Sequence, residues 1–158
     1  MAEYSSRVAI RADGSSHLGL GHVTRCLSLA EALVSRGASV ELVSRPLPSE
    51  FVAWTRQIGV SLRTIAADPG GVEDALELVR TRPDLAVVDG YEFNPAFFAA
   101  LVEHGCLHAV VDDNGETTAS APMLVINQNP SASADLYRGL GGSPRLLLGL
   151  DYVMLRDK

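Results

Sequence analysis

Short apolar runs recur along the chain, and each of the first four is followed by a stretch whose apolar residues fall at helical spacing. Arg7 to Ala12, Ser39 to Ser44, Val60 to Ile65, Leu85 to Val88, Leu107 to Val111, Leu124 to Ile126 and Leu146 to Leu148 read as strands. Leu85-Ala86-Val87-Val88 is wholly apolar and ends at Asp89, which suits a strand buried on both faces. Between the strands, His22 to Arg36 carries Val23, Cys26, Leu27, Ala30, Leu33 and Val34 as a helical stripe, with Gly37 as its C′ residue. Ser49 to about Ile58, capped by Ser49, Val72 to Arg80, and Pro95 to about His104 with proline at N1, read as further helices. This alternation, at the roughly 30-residue spacing of βαβ units, predicts an α/β fold with a doubly wound, mostly parallel sheet.

A parallel sheet collects the C-terminal ends of its strands on one rim, and ligands bind outside that rim. The residues expected there are polar: Asp13 to Gly21 with His22, Ser44-Arg45, Asp89-Gly90-Tyr91, Asp112-Asp113-Asn114 and Asn127-Gln128-Asn129. The 158 residues suit one domain spanning 1–158, and the net charge of −6 disfavours a nucleic-acid partner. No apolar stretch approaches the roughly 18 residues of a membrane span. The N-terminus lacks an apolar signal region, so a cytoplasmic protein is expected. Cys26 and Cys106 read as reduced packing residues, and with no C-x-x-C spacing neither a metal nor a cofactor is expected.

Gly19-Leu20-Gly21-His22 joins the first strand to its helix. Glycines allow close backbone approach and a helix N-terminus favours anions, although a Gly-x-Gly also serves simply as a connection. At that helix start the macrodipole opposes an imidazolium, which favours the neutral imidazole that a general base needs. His22 is therefore the candidate base, against the alternative of a structural histidine. Asp13 is either the carboxylate that orients His22 or the acceptor of an Asx-turn. Tyr91 offers a stacking face and a phenol donor, or covers the sheet edge. Asp112-Asp113, with Asn114-Gly115 following, reads as a turn, since adjacent strand-end side chains point apart. Asn127 and Gln128 offer amides suited to sugar hydroxyls, or to turn initiation before Pro130. His17 reads as exposed, and His104 and His108 have no assigned role. No serine elbow and no Walker pattern occur.

Taken together, Arg11-x-Asp13, Gly19-x-Gly21-His22-x-x-Arg25-Cys26, Asp89-Gly90-Tyr91, Asp112-Asp113, Asn127-Gln128-Asn129 and Leu148-Gly149-x-x-Tyr152-x-x-Leu155-Arg156 resemble the UDP-sugar hydrolases of pseudaminic acid biosynthesis and the related spore-coat polysaccharide proteins. The resemblance covers nearly the whole chain. It implies an N-terminal Rossmann-like domain of a GT-B architecture, in which two such domains enclose the active site. It implies metal-independent hydrolysis of a UDP-linked diacetamido-trideoxyhexose at the anomeric carbon, with release of UDP. His22 would activate water and Tyr91 would lie beside the sugar; Asp13 joins them as an expected catalytic residue on the physical ground that it could orient His22, not on the resemblance. Arg11, Ser15, Gly19, Leu20, Gly21, Asn127 and Gln128 are the expected substrate-binding residues. The second, nucleotide-binding domain is expected to be missing from this chain, which would leave the isolated domain weakly active or inactive. The alternatives are the acceptor domain of a GT-B glycosyltransferase and a non-catalytic sugar-nucleotide binding or scaffold module.

Overall fold

The computed structural model describes residues 5–17 and 19–156; the polar start before Ser5 and the end at Lys158 lie outside them. Seven strands form one sheet: β1 (Arg7–Ala12), β2 (Ser39–Ser44), β3 (Ser61–Thr64), β4 (Leu85–Asp89), β5 (His108–Val111), β6 (Leu124–Asn127) and β7 (Arg145–Leu148). Their spatial order is β3-β2-β1-β4-β5-β6-β7, and every pairing is parallel. The chain builds outward from β1 to β3, then restarts at β4 on the other side of β1. This is a doubly wound, Rossmann-like α/β sheet, and its strand order reverses between β1 and β4.

Side-chain alternation divides the core into two layers. Val8, Ile10 and Ala12 of β1, Leu42 of β2 and Val87 of β4 pack under α1 (Gly21–Ser35) and α2 (Ser49–Gln57), against Val23, Cys26, Leu27, Ala30 and Phe51. Ala9, Val43, Ala86, Val88 and Val110 face the opposite way. They pack under α3 (Val72–Val79) and α4 (Pro95–Glu103), against Leu78, Phe97, Phe98 and Leu101. Each of these large side chains is nearly or fully buried, worth about 1.5–3 kcal/mol apiece relative to exposure. Central strands therefore read as unbroken apolar runs because both of their faces are covered.

Local chemistry sets the helix ends. Asn94 caps α4, its side chain accepting a hydrogen bond from the Phe97 amide at 3.1 Å, and Pro95 occupies N1. Gly37, at φ +88°, ends α1 in the left-handed conformation that glycine adopts without strain. Ser49 is not a cap: it is the first residue of α2, whose N-cap is Pro48. Two short 3-10 turns, Ala134–Tyr137 and Leu150–Tyr152, flank β7 and carry no sequence signal of their own. No described helix is long and apolar enough to cross a membrane.

Candidate functional site

The reversal between β1 and β4 opens a crevice at the C-terminal rim. The start of α1 descends into it from one side and the Asp89-Gly90-Tyr91 segment from the other. Asp89 shares the parity of Val87, so its carboxylate points to the α1 layer, where it is fully buried. There Asp89 Oδ1 lies 2.7 Å from His22 Nδ1. A carboxylate can only accept, so Nδ1 carries the proton and Nε2 holds the lone pair. Among the described residues Nε2 has no hydrogen-bond partner, and the His22 side chain keeps 16% exposure.

One helical turn on, Arg25 occupies the same face of α1 as His22. It donates to both oxygens of Asp89 at 2.6 Å and to both oxygens of Asp113 at 2.7 and 3.0 Å. Burial alone would lower the Arg25 pKa, but hydrogen bonds and charge from the two carboxylates outweigh it, and the net shift is upward. Asp113 also accepts from the Tyr91 hydroxyl at 2.8 Å. Burial would raise the Asp113 carboxyl, yet Arg25 and Tyr91 hold it below its ordinary value. The same hydrogen bond from Asp113's side, followed by burial, raises the Tyr91 phenol. The Tyr91 ring then returns to His22, edge-on, with centroids 4.8 Å apart and planes at 81°. Beneath them the Cys26 thiol donates to Asp89 Oδ2 at 3.4 Å; burial and the adjacent carboxylate keep it protonated.

His22, Arg25, Tyr91 and Asp113 line an open cleft of about 560 Å³, together with Leu20, Gly21, Thr24, Gln128 and Met154. A smaller recess of about 80 Å³ adjoins it, between Asp13, His22, Asp89, Gly90, Tyr91, Glu92 and Phe93. The larger volume falls within the range of small-molecule sites. Leu20 precedes α1 without a side-chain cap, which leaves the first amides of the helix unpaired by side chains. Gly19, at φ +81°, makes the turn into it.

Several expected site residues are elsewhere. Asp13 does not orient His22. Strand alternation places Arg11 on the α3 side, and Asp13, two residues on, takes the Arg11 guanidinium at 2.6 and 2.9 Å. Asp13 also accepts from Arg45 Nε at 2.9 Å and from the Arg45 amide at 2.8 Å. Burial would raise its carboxyl; Arg11 and Arg45 leave it lowered instead. Arg11 is not a substrate-binding residue, because its side chain is completely buried between Asp13 and Asp74 and lies over the Phe93 ring. Asn127 is buried too: its amide donates to the Tyr137 hydroxyl at 2.8 Å, and that hydroxyl donates to Asp112 at 2.7 Å. Gln128 does reach the cleft, although its Oε1 already accepts from the Met154 amide at 3.1 Å. Ser15 bridges to Gly19 and lines a separate hollow with His17 and Arg45. Tyr91 is 67% exposed, as a stacking face requires, but its proton is directed at Asp113 rather than outward.

Asp89, Arg25 and Asp113 are the residues that sequence reasoning left without a role. Their signal was the His22-x-x-Arg25 spacing, one cation a helical turn from the base, facing strands that end in carboxylates. Asp112 and Asp113 do point apart. Only Asp112 builds the turn, accepting from the Gly115 and Glu116 amides at 2.7 and 3.3 Å. His17 is exposed, and His104 and His108 hydrogen-bond to backbone carbonyls away from the cleft. Among the described residues no group of three or more His, Cys, Asp or Glu side chains is placed to hold a metal ion.

No protein-family model matches the chain, and no curated protein matches it. Solved structures do align with it, among them these two. One is a glycotransferase of kitacinnamycin, 18% identical, with a TM-score of 0.47, covering 68% of this chain and 30% of that one. The other is a cube-shaped, porous protein cage designed by fusing symmetric oligomeric domains, 14% identical, with a TM-score of 0.43, covering 90% and 54%. This chain thus spans less than two thirds of either. Similarity at this level does not reach activity, and the functional reading rests on the site itself.

Proposed function

We propose that this chain supplies the base for hydrolysis of a UDP-linked amino sugar, a UDP-linked diacetamido-trideoxyhexose, as one of two domains in a GT-B architecture. The observation that carries the reading is the His22–Asp89 pair at the strand-order reversal, with His22 Nε2 unpartnered on an open cleft. In this reading a water held by Nε2 attacks the anomeric carbon as the bond from that carbon to the UDP oxygen breaks. UDP leaves with the bonding electrons, and the water's proton passes to Nε2. The imidazolium so formed sits against Asp89, and the pair of carboxylates around Arg25 gains the positive charge it lacks.

The cleft also supports the two-domain element of the reading. Its one guanidinium, Arg25, is already engaged by Asp89 and Asp113. Apart from the first amides of α1, a diphosphate would find little there to neutralise it, so leaving-group stabilisation must come from a facing surface. The deciding experiment measures UDP release from the UDP-linked diacetamido sugar by this chain joined to, or mixed with, a second α/β domain, with and without His22→Ala. A general base contributes about 10²–10⁴ in kcat, so a loss under tenfold would overturn the assignment. UDP release that strictly requires an added sugar acceptor would replace hydrolysis with glycosyl transfer.

A further inference from the structure

The contacts around His22 close into a ring. Asp89 joins His22 to Arg25, Arg25 joins Asp89 to Asp113, Asp113 joins Arg25 to Tyr91, and the Tyr91 and His22 rings meet in a T-shaped contact. Four parts of the fold meet in it: α1, the last residue of β4, the segment after β4 and the residue two beyond the end of β5. Asp113 is the carboxylate of the ring that makes no hydrogen bond to His22. Both of its carboxylate oxygens are engaged, and its backbone carbonyl accepts from the Asn129 side chain at 2.7 Å, which ties it to the segment after β6.

We propose that Asp113 is a positioning residue: through Arg25 on one side and the Tyr91 hydroxyl on the other, it fixes the base and the tyrosine ring relative to each other. The inference rests on the hydrolase reading for its catalytic consequence, though its geometric content is independent of it. Two features of Tyr91 make the tether necessary. Its side chain is two-thirds exposed, and exposed aromatic side chains change rotamer within nanoseconds unless held. Its contact with His22 is a single T-shaped approach, too weak to hold the ring alone. The hydroxyl bond to a carboxylate supplies the missing restraint. Because the hydroxyl donates to Asp113, its proton is not offered to the cleft, and Tyr91 acts as a wall rather than as an acid. Arg25 performs the matching task for the base, since the guanidinium that holds Asp113 also holds the carboxylate that orients His22.

The test uses two variants and two readouts. Asp113→Ala removes both arms of the tether; Tyr91→Phe removes only the hydroxyl arm and keeps the ring. In the ligand-free protein, nuclear Overhauser contacts between the aromatic protons of residues 22 and 91 should be strong in the wild type and lost in both variants. For UDP release by the two-domain form, Asp113→Ala should lower kcat/KM by about tenfold to a hundredfold, the usual cost of loosening a reacting group by about an ångström. Wild-type contact intensities in both variants would overturn the proposal. So would lost contacts with kcat/KM within about twofold of wild type, a difference too small to be a transition-state effect. If the wild type itself releases no UDP, the hydrolase reading falls, while the ring contacts still decide whether Asp113 positions Tyr91.

Discussion

Asp89 Oδ1 and His22 Nδ1 are 2.7 Å apart, and the strand residue that makes this contact is the one whose parity turns it toward α1. The pair fixes which imidazole nitrogen carries the proton. Asp89→Asn keeps the shape but lets the amide donate, so it selects the opposite tautomer. The expected loss in kcat for UDP release is about 10²–10⁴, as for other base-orienting carboxylates. Imidazole 15N shifts should move from the Nδ1–H to the Nε2–H pattern. An unchanged tautomer with unchanged kcat would rule out the assigned role for Asp89.

Because the cleft's one guanidinium is engaged by two carboxylates, UDP should bind this chain alone no more tightly than about the millimolar range, some 4 kcal/mol. Isothermal titration calorimetry on the chain alone measures it. Micromolar affinity would show that the nucleotide grip is already complete here and would remove the need for a facing domain.

Arg11 should matter for folding rather than for turnover. Its guanidinium satisfies two buried carboxylates, Asp13 and Asp74, and Asp74 also accepts from the Gly70 amide. Arg11→Met fills similar space but leaves Asp74 without a cationic partner and Asp13 with Arg45 alone, and removal of one partner from such a buried network costs about 3–5 kcal/mol. Urea denaturation should register that loss. A change below about 1 kcal/mol, the scale of an exposed ion pair, would contradict it.

Acid should weaken the pairing of two of the arginine-paired carboxylates. Asp13 and Asp113 have folded pKa values below the ordinary 3.8: burial pushes each up, and their arginine partners outweigh it. For a carboxyl lowered on folding, the stabilisation is complete above the unfolded value. It disappears as pH falls from that value through the folded one. Unfolding free energy should therefore hold steady down to about pH 4 and then decline. The gap between wild type and Asp113→Asn should narrow over the same interval. A gap that stays constant down to pH 2 would mean that Asp113 contributes nothing through its charge.

Much of this arrangement was legible in the sequence, and the remainder has identifiable physical causes. Apolar runs such as Leu85 to Val88 announced buried parallel strands, and parallel strands put every polar strand end on one rim. His22 was found because a helix start after a glycine turn is a recognisable place for a base. Its partner was not, because choosing between Asp13 and Asp89 requires knowing which face of the sheet α1 covers. Arg11 looked available because nothing in its own strand reveals Asp74, more than sixty residues away on α3. Asn127 looked available for the same reason, its partner Tyr137 lying on a 3-10 turn that leaves no periodic trace. Asp113 was absorbed into a turn that Asp112 builds unaided.

Arg11 pairs with Val88 and Ala12 with Asp89 across the β1–β4 ladder, so the buried arginine and the histidine's carboxylate are near neighbours that project to opposite sides. Substitutions on the α1 side can therefore rewire the chemistry without unseating the arginine anchor behind it.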